Sequence, residues 1–438
     1  MRLSQDPSAT GLPAPGAPET PQTGPGKKGL SPLLAIFLTV FIDLVSFGLF
    51  IPDLQLRGKA MATQLLGAAA TPAQIGLLTG FTLAVFSIAQ LATAPFLGGL
   101  SDRIGRRKIL LFTSVLTVIS YLIYAHAEAY WAILLSRIFS GVAAANLGVA
   151  FAYVADVTKP EERAKGLGLI GAAFGMGFIL GPVAGAFLLS ANGNKPMLLG
   201  YVGATLCALN VIYIYFVLPE SVTNLGSAKR SFRADFVMAM KTPGLGLLLV
   251  MFFAINFGFT NLESTFFQLL ADSRSIFHLG DSARQVGGYI LGLVGIVAVI
   301  MQGFVVRKIT PIYGEVNLLR VAYLFYAPVF AAVPYAPLWA PAIGVIVFLG
   351  ICGGLAQPSL SSLISRSAPA QIQGGIFGIT QALGALARCV GPLISNPLFA
   401  FKPSAPYWLG AIVILFPALA TWKLKMPEGE VAPGTLIE

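Results

Sequence analysis

The sequence predicts an all-α polytopic membrane protein, twelve transmembrane helices in two pseudo-symmetric six-helix bundles. Three observations predict it. Of 438 residues, 56% are hydrophobic and 11% charged, with a mean hydropathy of +0.80, whereas an ordinary soluble domain carries roughly 25% charged residues. A spanning helix needs ~20 mostly apolar residues, and twelve such runs follow one another. The second half of the chain also echoes the first.

Residues 1–30 are rich in Pro, Gly, Ala, Ser and Thr, a composition expected of a disordered tail. They lack the apolar central run of a cleaved signal peptide. Apolar runs bounded by charges or turn residues then place spans at about 32–53, 73–99, 107–126, 130–156, 166–190 and 197–218. The longest polar, basic stretch between spans, 219–242, divides the chain into bundles at 31–218 and 243–424. Spans at about 243–270, 284–306, 314–335, 337–364, 374–401 and 405–423 complete the second bundle, with a tail at 425–438. Glycines and prolines interrupt the 337–364 run.

The net charge of +10 invites a nucleic-acid partner, but its distribution argues otherwise. With the N-terminus inside and twelve crossings, 20 of the 28 Lys and Arg fall on the cytoplasmic side and six outside, leaving Arg137 and Arg388 within spans. That is the positive-inside bias. Both tails are therefore expected in the cytoplasm. Cys207, Cys352 and Cys389 lie inside predicted helices without disulfide or metal spacing. His126 and His278 sit near outer ends, away from the acids, so neither a metal site nor a catalytic constellation is expected.

The halves align when Pro160 is set against Pro369. Gly166 then meets Gly375, and one inserted residue brings Gly181-Pro182 onto Gly391-Pro392. Between the second and third spans stands Gly98 to Arg107, GGLSDRIGRR; its counterpart after the eighth span, QGFVVRKITPIYGE, lacks the Asp. The asymmetry predicts the stronger latch in the N-terminal half. Arg107 and Lys108 read as orientation anchors. Asp102 adds nothing to orientation, and its carboxylate suits a helix N-terminus such as that of the eleventh span at Gly374-Gly375. Asp156 lies about 26 residues into the fourth span, roughly 39 Å from its outer end at 1.5 Å per residue, where it can meet Arg106.

Intramembrane charges are costly and usually functional. Asp43 lies ~17 Å into the first span from the cytoplasm, and Arg137 ~10 Å into the fourth from outside. Their depths agree within a turn. The pair is either a fixed ion pair between two helices or a proton site at which substrate, Arg137 and a proton compete. Glu263 and Arg388 form a second such set, Glu263 reading equally as an outer-gate or loop residue. Asn256 either lines a cavity or bonds a neighbouring helix, and Gln90, Gln302, Gln357 and Gln381 share that ambiguity. Phe47 and Phe259, if they line the cavity, favour an apolar substrate.

These motifs make the chain resemble the major facilitator superfamily over nearly all its length past residue 30. GGLSDRIGRR matches the family signature between its second and third helices. Gly168, Gly177, Gly181, Pro182 and Gly185 in the fifth span resemble the family's antiporter signature, departing at Ala186, where a second glycine is usual. Asp43, Gly48 and Pro52, with Arg137 to Gly141 (RIFSG), are similar to the drug:proton antiporters, particularly the tetracycline-efflux branch. Read from the residues alone, the fifth-span glycines let helices pack closely.

The resemblance implies alternating access, with a cytoplasmic gate of Gly98, Asp102, Arg103, Gly105, Arg106, Asp156 and Arg163 closing when the site opens outward. It implies a bend at Pro182 that limits leak, with no cofactor beyond a proton gradient. The leading expectation is a proton-coupled exporter of small amphiphilic or drug-like molecules, working as a monomer in a bacterial inner membrane. A symporter or facilitator for a nutrient stands second, and a transport-inactive receptor on the same fold third.

Overall fold

A computed structural model describes residues 31–158, 163–221, 232–336, 340–369 and 372–423. Within them every regular element is helical. The first half contains α1 (Pro32–Leu49), α2 (Ile51–Leu66), α3 (Pro72–Ile104), α4 (Arg106–Ala125), α5 (Tyr130–Ala144), α6 (Asn146–Val157), α7 (Arg163–Ala191) and α8 (Met197–Val217). A short α9 (Phe232–Lys241) leads into α10 (Leu245–Ala271), α11 (Ala283–Ile300), α12 (Val306–Tyr313), α13 (Glu315–Ala332), α14 (Ala340–Ser367), α15 (Gln373–Phe401) and α16 (Ala405–Ala420). Among the described residues, eleven stretches are long and apolar enough to cross a membrane, α5–α6 and α11–α12 each counting once, and α16 is a shorter apolar helix. A π turn at Met301–Val305 joins α11 to α12.

The expected spans recur with one substantive correction. The first ends at Leu49, and a separate helix that the apolar run does not set apart, α2, begins at Ile51. Pro52 occupies the first turn of α2, where its missing N–H costs nothing, and the helix runs on to Leu66. This segment looks like a loop in sequence because Asp53, Gln55, Arg57 and Lys59 interrupt its apolar run. Three of them, Asp53, Gln55 and Arg57, are buried.

Apolar packing separates the chain. One core cluster draws its buried residues from Ala239 onward, and three others draw theirs from positions up to Leu218. Across the two sets, α3 packs along α15 and α7 along α11. Within the first set, α1 and α7 touch backbone to backbone. A methyl at Gly181 would strike the Gly48 backbone, and one at Gly185 the Leu49 carbonyl. Gly177 presses on Leu44 in the same way. Only small residues allow that approach, so these three glycines seat α7 on the helix that carries Asp43. Gly168 meets nothing. Ala186, where the antiporter pattern departs, is fully buried and lies against Gly288 of α11, which supplies the missing space from the other side.

Candidate functional site

In the middle of α1, the Asp43 carboxylate accepts hydrogen bonds from Asn146 Nδ2 of α6 and Asn210 Nδ2 of α8, each 2.9 Å. Asn210 also donates to the Thr39 carbonyl at 3.1 Å. The acid is thus held by two neutral amides from two helices. The expected Asp43–Arg137 pair does not form. Arg137, only 5% exposed, turns to aromatic faces instead, its guanidinium carbon 4.5 Å from the Phe86 ring centre and 5.9 Å from that of Phe47. Its Nε has no hydrogen-bond partner among the described residues. Phe47 packs against Phe86 and Phe178 with ring centres 5.3 and 6.4 Å apart. Asn146 and Asn210 are polar residues within apolar runs, which is their one mark in the sequence.

The second set is looser. Arg388 and Glu263 act on each other as opposite charges without closing an ion pair. Asn256 donates 2.8 Å to the Phe252 carbonyl of its own helix, and Phe259 is half-buried. Gln90 donates 3.1 Å to the Ala144 carbonyl.

At the near face, where α1 begins, Arg106 gathers the signature motif. It pairs with Asp156 at 3.2 Å, as the helical rise predicts, with Asp102 at 2.6 Å, and with Ser101 Oγ at 2.5 Å. Asp102 therefore does not reach the start of α15. It lies four residues before Arg106, across the Gly105 turn, and an acid from elsewhere, Asp235 of α9, lies against Gly375 there. Arg103 is exposed and Gly98 meets open space, while the side chain of Arg163 lies outside the described residues.

Gly105, at φ +106°, makes the turn from α3 into α4, a conformation that glycine adopts freely. The first turn of α4 is capped by Glu220, which accepts from the Arg106 N–H at 2.8 Å and the Arg107 N–H at 3.5 Å. No sequence signal links residues so far apart. Glu220→Ala should lower stability by about 1 kcal/mol, the usual worth of a helix cap, read as a lower unfolding temperature of the purified protein. An unchanged transition would show that water serves those N–H groups equally well.

The counterpart motif is not degenerate in geometry. Gly314, at φ +75°, makes the equivalent turn, and Glu315 stands where Arg106 does under the alignment that pairs Pro160 with Pro369. Glu315 accepts from Ser362 Oγ at 2.5 Å and pairs with Arg366 at 3.4 Å. The two halves thus carry the same corner with the charges exchanged, Arg106–Asp156 in one and Glu315–Arg366 in the other.

The opposite, far face holds the halves together. Arg284 Nε of α11 pairs with Asp53 of α2 at 3.1 Å, and Tyr124 Oη donates to the same carboxylate at 2.8 Å. Arg57 lies 4.6 Å from the Tyr124 ring centre and donates to the Tyr124 carbonyl at 2.9 Å and to that of Ala127. It thereby adds a donor to carbonyls at and just beyond the C-terminal end of α4. Gln55 donates its amide to the Glu263 carbonyl of α10 and accepts from the Phe267 N–H at 3.1 Å. Lys59 pairs with Asp272 at 3.7 Å. Burial would raise the Asp272 carboxyl, but its hydrogen bonds from Arg274 and the charges of Lys59 and Arg274 outweigh that and hold it below the ordinary carboxylate value. Lastly, a methyl at Gly80 of α3 would strike the Pro392 carbonyl of α15. Among the described residues, every hydrogen bond and ion pair between the halves lies at this face.

Comparison with known proteins gives one family and a consistent set of relatives. The family model described as Major Facilitator Superfamily matches residues 33–392. The chain is 30% identical over 398 residues to the class C tetracycline resistance protein of Escherichia coli, covering 90% of this chain and 95% of that one. It is 28% identical to major facilitator superfamily domain-containing protein 10 of Mus musculus, with 90% and 93% covered. Among solved structures it resembles the human organic anion transporter MFSD10 (TETRAN), with TM-score 0.66, 25% identity and coverage of 89% and 98%. A D-xylose-proton symporter shares the fold, with TM-score 0.71 at 16% identity and coverage of 90% and 98%.

Proposed function

The chain belongs to the major facilitator superfamily, and from that premise we propose that it exports small amphiphilic, drug-like molecules in exchange for protons by alternating access. The observation that carries the reading is Asp43: a titratable group deep in a spanning helix, held by amides from two others and not locked to a cation. Such a carboxylate can give up and regain a proton without breaking an ion pair. The tetracycline resistance relatives support the export direction. The termini and the Arg106 corner then face the cytoplasm, in keeping with the positive-inside charge count. The conformation described is then inward-open, since among the described residues the hydrogen bonds and ion pairs between the halves lie at the far face. The working unit is a monomer in a bacterial inner membrane.

The test is proton movement in everted membrane vesicles acidified by respiration. Adding a transported drug should alkalinise the lumen, because protons leave as the drug enters. Proton entry alongside substrate, or no response across a panel of dyes, antibiotics and organic cations, would overturn antiport of drugs.

One observation favours a second reading of substrate charge. Arg137 is buried against two phenyl rings without a carboxylate partner, a setting that suits an aromatic anion. A relative whose structure is that of an organic anion transporter points the same way. Including aromatic carboxylates in the vesicle panel separates the two.

A further inference from the structure

The short helix α9 ends four residues before α10 begins, so covalent connection holds it at the near-face surface of the bilayer. Its two sides differ. On one, Asp235 lies against Gly375 in the first turn of α15, Ala239 is fully buried and Phe236 packs on the core of the second half. On the other, Arg233, Val237 and Lys241 recur at four-residue spacing, which places them in one stripe along the helix. With Met238, Thr242 and Pro243 they line an open groove of about 720 Å³.

Two properties of this groove identify its occupant. Val237 and Met238 are 43% and 42% exposed, apolar surface presented away from the protein. Beside them, Arg233 and Lys241 form no hydrogen bond or ion pair with any described residue. Hydrocarbon alone would leave two cations unpaired, and water alone would leave the apolar side chains wet. A phospholipid with an anionic headgroup satisfies both, its charge on the guanidinium and ammonium and its upper acyl carbons on valine and methionine. We propose that the outward side of α9 binds an anionic phospholipid of the leaflet at the near face. Because the opposite side of the same helix touches the first turn of α15, the lipid steadies the start of a helix that packs against the other half.

Native mass spectrometry of the full-length protein after exposure to phosphatidylglycerol or phosphatidylcholine tests this. Wild type should retain phosphatidylglycerol preferentially. Arg233→Gln with Lys241→Gln should lose that preference, by about fivefold for each charge removed, while Arg233→Lys keeps it. Lys229 and Arg230, outside the described residues, stay unchanged, so a loss is assignable to the groove. Both substituted side chains are exposed, and an unaltered unfolding temperature in lipid-free detergent confirms that the double variant folds. Equal retention of the two lipids by wild type, or undiminished phosphatidylglycerol retention by the double variant, overturns the proposal.

Discussion

Asp53→Asn is expected to open the far face. The substitution leaves Arg284 half-encased beside a neutral amide, and breaking a buried ion pair by removing one partner costs about 3–5 kcal/mol. Arg284 keeps Asp281 at 2.9 Å, but that carboxylate is 87% exposed, and such contacts are worth little. The Asp53–Arg284 bond exists only while the halves meet at this face. Its loss therefore falls on the conformational equilibrium more than on folding, a shift of roughly 100-fold or more at 1.4 kcal/mol per tenfold. A cysteine at Thr79, on the α3 side of the seam, should react faster with a membrane-impermeant maleimide in the Asp53→Asn background. Asp53→Asn combined with Arg284→Gln should recover part of the protection, since neither side is then left as a bare charge. Labelling as slow in Asp53→Asn as in the parent would remove the pair from the latch.

Asp43→Asn should abolish uphill export while sparing downhill exchange. The amide is nearly isosteric and keeps a carbonyl oxygen for Asn146 or Asn210, so the packing around α1 should survive. What disappears is the group that can carry a proton between faces. Efflux-deficient cells expressing the variant should accumulate drug to the level of cells without the protein. Counterflow of labelled drug in vesicles, which needs no net proton movement, should persist. If the variant still lowered drug accumulation, Asp43 would not be the coupling site. If counterflow also vanished, its role would be structural.

The architecture was legible because spanning helices announce themselves: apolar runs of the right length, punctuated by charge, repeated once. Distances along a single helix were legible too. The rise per residue puts Asp156 level with Arg106, and the pair forms. Depth alone was a poorer guide across helices. Asp43 and Arg137 share a level, yet each points to a different neighbour, since depth says nothing of the direction in which a side chain leaves its helix. Asp102 went astray for another reason. In the structure its carboxylate pairs with Arg106 while Asp235 lies against Gly375, and a sequence carries no mark of which acid takes that place. Asp53, Gln55 and Arg57 were hidden by their own polarity, which resembles a loop until α3, α5 and α10 are seen to cover it.

Gln55 makes that far-face seam unlike the ion pair beside it. In an α-helix the N–H of Phe267 and the carbonyl of Glu263 are partners, four residues apart, and the Gln55 amide reaches both. When the halves part, those two groups keep each other as partners in the continuous helix, and the glutamine meets water entering the cleft. Nothing polar is stranded at any point. Asp53 and Arg284 make separation steep, whereas the rung of α10 that Gln55 touches is released at almost no free-energy difference. The seam therefore combines a clasp that sets how strongly the state is favoured with a thread that sets its register, and only the first resists opening.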